Sequence, residues 1–252
     1  MSSDFEPRLL LPGAPGIPSH MRVSHDIAVF NELADRSVSA VIWVPRWSEP
    51  VQQAFRHIAR QQVKRSLCYQ DQVMVTPDEQ GKTREHDFLT RNIQRWLEPA
   101  SNLIGTEKFQ PAVDEIVWHH QVFLETLEQQ KSGCGSELEV NLSRMAPKIS
   151  FMNSLFLAPP PAPSFAHRDP DDVGLFASPV GTVLVDQDKL DLSLVTDTDN
   201  ELPAKHCANR LWQVPDNSFL VLRGLSSENP QYHFFPPVSR NLLRFRLFAF
   251  PC

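Results

Sequence analysis

Three residues in the C-terminal half of the chain have the types and spacing of metal ligands. His167 and Asp169 are two positions apart, and His233 follows much later. Side chains at positions i and i+2 of an extended strand point to the same face, so an imidazole and a carboxylate can converge on one ion there. Two imidazoles and one carboxylate form the facial triad of non-haem iron(II) enzymes. The sequence therefore predicts a metal site at these residues, although in a chain with nine histidines a His-x-Asp spacing also arises by chance.

The N-terminal half, which must support this site, is predicted to be mainly helical. Apolar residues at helical spacing and β-branched runs predict, in order, a short helix near residues 27–34, a strand at residues 39–45 and helices after Ser48, at residues 80–96 and at residues 111–130. His119 and His120 are adjacent on the last helix and point about 100° apart. They are interpreted as surface or core histidines rather than as a pair of ligands.

The C-terminal half is predicted to consist of strands and loops. Two glycines and two serines in residues 132–136 end the helical half. Short apolar or alternating runs then predict strands at residues 138–142, 149–157, 165–169, 173–177, 181–186, 218–224 and 241–250. Many short strands separated by turns are typical of a closed sandwich or jelly roll, with helices packed outside.

The chain is predicted to fold as one domain behind a loose arm. Residues 1–24 are rich in proline and glycine, which predicts a flexible N-terminal arm. Residues 25–252 form the single domain, with a helical half at residues 25–135 and a β-rich half that carries the metal site at residues 136–252.

Composition excludes several functional classes. The 252 residues are 41% hydrophobic, which is enough for a sizeable core. A net charge of −6 without a basic stripe argues against a nucleic-acid partner. The N-terminus lacks the pattern of a secretory signal, and no apolar run approaches the roughly 20 residues of a membrane span, which predicts a cytoplasmic protein without a membrane partner. The four cysteines are scattered and are predicted to be free thiols.

Four short motifs resemble an uncharacterised bacterial family, the domain of unknown function 1826. They are Val41-Ile42-Trp43-Val44-Pro45-Arg46, Phe165-Ala166-His167-Arg168-Asp169, Pro179-Val180-Gly181-Thr182-Val183-Leu184, and His233-Phe234-Phe235-Pro236-Pro237 followed by Arg240-Asn241-Leu242-Leu243. More distantly, the order of His-x-Asp, strands, a distal His and an Arg on the last strand is similar to the 2-oxoglutarate and iron(II)-dependent oxygenases. The resemblance implies an α+β protein whose C-terminal half is a double-stranded β-helix, a cupin-like jelly roll.

The oxygenase resemblance also implies a binding residue for 2-oxoglutarate. This cosubstrate carries a second carboxylate, and a planar guanidinium can grip both of its oxygens. Arg240 is the first candidate. On an extended strand Arg240, Arg244 and Arg246 share a face, so Arg244 is the second candidate. A surface or interstrand ion pair is the structural alternative for Arg240.

Three functions remain open from the sequence. The first is an iron(II) and 2-oxoglutarate-dependent oxygenase acting on a small molecule or a protein side chain. The second is a cupin-like metalloprotein of metal homeostasis, for which zinc with His206 or Cys207 as a fourth ligand is an alternative to iron. The third is a catalytically silent relative that makes protein contacts. No feature of the sequence indicates an oligomeric state.

Overall fold

The structure, a computed structural model, describes a mixed α and β protein. It covers residues 7–60, 69–74, 79–131, 145–155, 165–168, 173–177, 182–190, 201–203, 206–207, 209–224, 229–234 and 241–251. The predicted α+β class is confirmed for this part of the chain. Within these residues no helix combines the length and apolarity that crossing a membrane requires.

The α-helices of the described residues lie in the N-terminal half, as predicted. They are α1 (Glu49–Arg60), α2 (Glu79–Leu97), α3 (Ser101–Ile104) and α4 (Thr106–Lys131), with 3-10 helices at Ile27–Ala34, Glu98–Ala100 and Gln187–Lys189. The predicted start of the last helix at Pro111 is wrong, because α4 already begins at Thr106 and Pro111 lies inside it. Gly105 has φ of 85°, a left-handed conformation that suits glycine and ends α3 directly before α4.

The strands form two sheets. They are β1 (Arg8–Leu9), β2 (Met21–Ser24), β3 (Ala40–Trp43), β4 (Tyr69–Met74), β5 (Met145–Leu155), β6 (Phe165–His167), β7 (Val173–Ala177), β8 (Val183–Val185), β9 (Glu201–Pro203), β10 (Leu211–Gln213), β11 (Phe219–Arg223), β12 (His233–Phe234) and β13 (Asn241–Pro251). The smaller sheet has the order β1-β10-β8-β12-β6-β9, and the larger has β2-β3-β11-β7-β13-β5-β4. Neither sheet closes on itself through the described strands. The predicted strand at residues 138–142 lies outside the described residues.

Eight strands of the C-terminal half pair in a nested order. β5 pairs with β13, β6 with β12, β7 with β11 and β8 with β10, all antiparallel. Passing along the chain through β5, β6, β7 and β8, each strand lies in the other sheet from the one before it, and the return through β10 to β13 repeats the alternation. The first strand of this half therefore lies beside the last, and each sheet receives four of the eight.

Hydrophobic side chains pack on both faces of the larger sheet. Side chains of β3 and β11 alternate between the faces of the larger sheet, so Trp43 and Phe219 pack against the helices. On the other face, Ile42 and Leu220 pack against Leu184 of β8 and its neighbours in the smaller sheet. The helices, the larger sheet and the smaller sheet are therefore three successive layers. The face of each sheet that borders the space between the two sheets is its inner face, and the opposite face is its outer face.

Residues 7–24 of the predicted N-terminal arm pair with strands of both sheets. β1 pairs with β10 of the smaller sheet, and β2 runs parallel to β3 of the larger sheet. Leu10 and Met21 are buried in the layer between the sheets. Proline and glycine mark the turns of this segment, while its few apolar residues anchor it to both sheets.

Candidate metal centre

The two predicted histidine ligands occupy directly opposed positions on neighbouring strands. β12 pairs antiparallel with β6, and its register places His233 opposite His167. Positions opposed in this way lie on the same face of a sheet, with Cβ atoms about 4.5–5.5 Å apart. The fold therefore joins two residues that are far apart in the chain.

The neighbours of these histidines identify which face they share. Ala166 and Tyr232 pack in a further hydrophobic cluster with Val183 and Val185, which flank the inward-facing Leu184 on β8 and therefore lie on the outer face of the smaller sheet. The Arg168 guanidinium lies 4.6 Å from the centre of the Tyr232 ring. Successive strand residues point to opposite faces. Positions 167 and 233 therefore lie on the inner face, toward the larger sheet.

Pairing with β8 leads to the same assignment. His233 is opposite Leu184, and Leu184 is opposite Trp212 of β10. The Leu184 and Trp212 side chains pack between the two sheets. The inner face therefore changes from apolar at β10 and β8 to histidine at β12 and β6. The third predicted ligand, Asp169, lies outside the described residues.

The His233 side chain is fully buried. Its Nδ1 lies 3.4 Å from the backbone carbonyl oxygen of Gln231. A proton held at Nδ1 by this carbonyl leaves the lone pair of the ring at Nε2, the arrangement in which histidine commonly binds metals.

Gln231, two residues before His233 and just before β12 begins, is held by a buried hydrogen-bond network. Its side-chain oxygen accepts from the Ser39 hydroxyl at 2.7 Å, and its amide nitrogen donates to the carbonyl oxygens of Val185 at 3.0 Å and Tyr232 at 2.8 Å. These bonds connect the start of β12 to both sheets. The approach of the chain to His233 is therefore fixed by polar contacts as well as by strand pairing.

Glu201, an acidic residue in the same cross-strand row as the two histidines, was not identified from the sequence. Glu201 of β9 is paired with His167, on the side of β6 opposite to β12. The register therefore places Glu201, His167 and His233 at corresponding positions on three adjacent strands. Nothing in the local sequence around Glu201 indicates this, because β9 has only three residues.

Of the two arginine candidates, Arg244 lies on the last strand, β13. Arg246 of β13 is opposite Phe176 of β7, which is in turn opposite Leu220 of β11. Leu220 faces the space between the sheets, so position 246 and, two residues earlier, position 244 lie on the inner face of the larger sheet. Arg240 lies outside the described residues.

The suggested fourth zinc ligand, Cys207, lies on the wrong side of the smaller sheet. It packs with Val183, Val185 and Tyr232 on the outer face, opposite to the face of His233. Burial raises the pKa of the Cys207 thiol to about 11, partly offset by the nearby Arg210, so the thiol stays protonated at neutral pH. The adjacent His206 is partly exposed.

A second group of ligating side chains lies where the N-terminal segment meets β8. One ligand atom from each of His20, Asp186 and Asp188 lies within 4.8 Å of the others. His20 and Asp186 are buried, whereas Asp188 is exposed. The described part of the chain thus contains a His-Asp-Asp group able to hold a metal ion, which sequence spacing did not reveal.

The adjacent histidines of α4 are core residues, which agrees with their interpretation from the sequence. The Nδ1 atoms of His119 and His120 lie 2.8 and 2.7 Å from the carbonyl oxygens of Glu115 and Ile116. Burial lowers the pKa of both imidazoles, and that of His120 falls to about 4. His119 lies against Trp47, with ring centres 4.3 Å apart, in the layer between helices and sheet.

Comparisons with known proteins give distant structural similarities. No family model and no curated protein matches the chain, so the resemblance to the domain of unknown function 1826 stays a prediction. Among solved structures, the crystal structure titled "Putative oxygenase from Shewanella oneidensis" aligns over 93% of this chain and 90% of its own, with 10% identity and a TM-score of 0.39.

Proposed function

We propose that the protein is a non-haem iron(II) and 2-oxoglutarate-dependent oxygenase, with His167, Asp169 and His233 as metal ligands. The observation that carries the proposal is the cross-strand pairing of His167 with His233 on the inner face of the smaller sheet. Residues at opposed positions of neighbouring strands have Cβ atoms about 4.5–5.5 Å apart, a separation that allows two imidazoles to bind one ion. The substrate is a small molecule or a protein side chain.

The strand pairing supports a double-stranded β-helix as the scaffold. Nested pairing of the first strand with the last, the second with the second last, and so on, is what results when a long hairpin is wound into two facing sheets. This is the arrangement of jelly rolls and cupins, in which eight strands form two sheets. In such a scaffold the inner face of each sheet encloses the site, which is where positions 167, 233 and 244 lie.

The donor set suits a divalent transition metal. Imidazole nitrogen binds iron, zinc and copper, and a carboxylate from Asp169 would complete the facial triad. Iron(II) bound there would supply open coordination positions at which a 2-oxo acid and dioxygen react. The buried surroundings of His233, with Leu184 beside it, exclude bulk water from that side of the site.

Arginine on the last strand would orient the cosubstrate. The inner-face position of Arg244 faces the sheet that carries the histidines, and a guanidinium there can bind a carboxylate through two parallel hydrogen bonds. Arg240, earlier on the chain, remains the first candidate from the sequence, although it follows His233 more closely than the corresponding arginine usually does in the oxygenases that the chain resembles. Either arginine would bind the end of the 2-oxo acid that does not react.

The proposal is tested by metal content and turnover of three variants. Protein purified without oxygen is analysed for iron and zinc, and then for formation of succinate from 2-oxoglutarate. We expect His167→Ala and His233→Ala to lose the iron and the turnover. His86→Ala, on the exposed side of α2, is the matched control and should retain both.

The outcomes separate the candidate functions. Equal metal content in the wild type and both site variants would refute the metal centre. Metal that depends on both histidines without turnover of 2-oxoglutarate would instead support the cupin-like protein of metal homeostasis, since the same imidazoles bind zinc.

A further inference from the structure

We propose that His20, Asp186 and Asp188 form a second divalent-metal site, which fastens the N-terminal segment to the smaller sheet. It shares no residue with the proposed iron centre and does not depend on it. The site brings together two distant parts of the chain. His20 directly precedes β2, whereas Asp186 follows β8 and Asp188 lies in the 3-10 helix after it.

The distances are those of a ligand set that an ion can draw together. The His20 Nδ1 atom is 3.0 Å from Oδ1 of Asp188, and one ligand atom of each residue lies within 4.8 Å of the other two. Ligands of one zinc or manganese ion, at about 2.0–2.2 Å from the metal, are about 3–4 Å apart. Bringing the three ligand atoms from within 4.8 Å to these distances therefore requires movements of side chains only.

Burial distinguishes this group from an ordinary surface cluster of carboxylates. The His20 and Asp186 side chains are 4% and 2% exposed, whereas the Asp188 side chain is 45% exposed. An imidazole and a carboxylate thus form a closed inner side, and Asp188 forms an open outer side through which an ion can enter. Two carboxylates this close repel each other, and a divalent cation between them removes that repulsion.

Hydrogen bonds outside the ligand set orient the exposed carboxylate. The backbone N–H of Ser19 and its hydroxyl donate to Oδ2 of Asp188, at 3.1 and 3.0 Å. These bonds turn Oδ1 of Asp188 toward His20. Metal-binding carboxylates are commonly held in this way, and loss of the supporting hydrogen bond weakens metal binding by 10–100-fold.

The donor set also indicates the class of metal. One nitrogen and two carboxylates suit zinc or manganese, whereas calcium needs six to eight oxygen ligands. A metal bound at Nδ1 takes the lone pair of the neutral His20 imidazole, whose ring proton is then on Nε2, and it replaces the contact between Nδ1 and Asp188. The ion then joins the same elements that the His20–Asp188 hydrogen bond joins.

The test counts bound Zn²⁺ in metal-free protein by calorimetry and elemental analysis. Asp188→Asn should bind one equivalent fewer than the wild type, whatever the wild-type number. Ser19→Ala should keep the stoichiometry and bind this equivalent about tenfold more weakly. Because Asp188 is half exposed, its replacement leaves the core intact.

Glu32→Gln is the matched control. Glu32 is also an exposed carboxylate that contacts the N-terminal segment, through Arg22 at 3.4 Å, but among the described residues it belongs to no group of metal-ligating side chains. It should bind as many equivalents as the wild type. The proposal is overturned if Asp188→Asn and wild type bind equal amounts, or if Glu32→Gln loses the same equivalent.

The same Zn²⁺ titration of the His233→Ala variant distinguishes the two proposed metal sites. An equivalent that is lost in His233→Ala but retained in Asp188→Asn belongs to the proposed iron centre. One lost in Asp188→Asn but retained in His233→Ala belongs to the site at His20. Failure of the oxygenase proposal therefore leaves the Asp188 comparison unaffected.

Discussion

Acid is expected to destabilise the protein through His120, the buried imidazole of α4. Burial lowers its pKa to about 4, and the nearby His119 lowers it slightly further, while the hydrogen bond to the Ile116 carbonyl opposes the change. In the unfolded chain the same imidazole titrates near 6.5. Below that pH the unfolded state binds more protons than the native state, so the free energy of unfolding falls as the pH drops from 6.5 toward 4.

The magnitude follows from the two pKa values. The gap between 6.5 and about 4 corresponds to about 3 kcal/mol, nearly all of it lost by pH 4. This is a large fraction of the 5–15 kcal/mol that is typical of native proteins. The pKa of His120 is low because its ring packs against Phe219, with ring centres 4.9 Å apart, where an imidazolium would be removed from solvent.

The assay is urea unfolding of the wild type and His120→Leu at several pH values between 7 and 4. Leucine does not titrate, so the wild type should lose about 3 kcal/mol more than the variant over this range. His119→Leu should remove a smaller part of the pH dependence, because His119 is less deeply buried. The exposed His86→Gln should leave the wild-type profile unchanged. Parallel profiles for wild type and His120→Leu would refute the reasoning.

Four further changes test other parts of the structure. Arg223→Met should lower the free energy of unfolding by about 3 kcal/mol, because the guanidinium donates to the carbonyl oxygens of Val38 and Leu33; a loss below 1 kcal/mol would contradict this. Leu10→Ala should lower it by about 3 kcal/mol in the same assay, whereas a loose arm would give no change. The Cys207 thiol should react with a thiol reagent only in denaturant, since its pKa is about 11 and it is buried; fast labelling of native protein would disprove this. Arg244→Met should keep its iron and bind 2-oxoglutarate roughly 10–100-fold more weakly by calorimetry, and unchanged affinity would move this role to Arg240.

The helical half could be predicted well because its signal is periodic. Val51, Phe55 and Ile58 recur at helical spacing, and all three are buried against the larger sheet. The predicted start of α4 was wrong because the sequence offers two signals for a helix boundary, Gly105 and Pro111. Only Gly105 ends the preceding helix.

Short strands escaped prediction for the opposite reason. β1 has two residues and β9 and β10 have three, too few for any alternation of apolar and polar side chains to be recognised. Their existence depends on the longer strands they pair with. The same holds for β2, which follows a proline- and glycine-rich segment and is fixed by its pairing with β3.

The two candidate sites also involve some features that are visible in the sequence and others that depend on the fold. A His-x-Asp spacing is local and can be seen in the sequence, whereas the pairing of His167 with His233 depends on the register of β12. The group at His20 gave no signal at all. Its members come from the N-terminal segment and from the turn after β8, and only the fold brings them together.

The inner face of the smaller sheet explains why the proposed iron centre lies where it does. Across neighbouring strands its row reads Trp212, Leu184, His233, His167 and Glu201. The apolar end is packed against the larger sheet, so it holds the strands at a fixed separation and register. This packing fixes the strand positions of the proposed ligands His233 and His167. Leu184→Ala should then weaken iron binding without removing a ligand, because the cavity it leaves lets β12 shift. If iron affinity is unchanged while the free energy of unfolding falls, the packed end does not position the ligands.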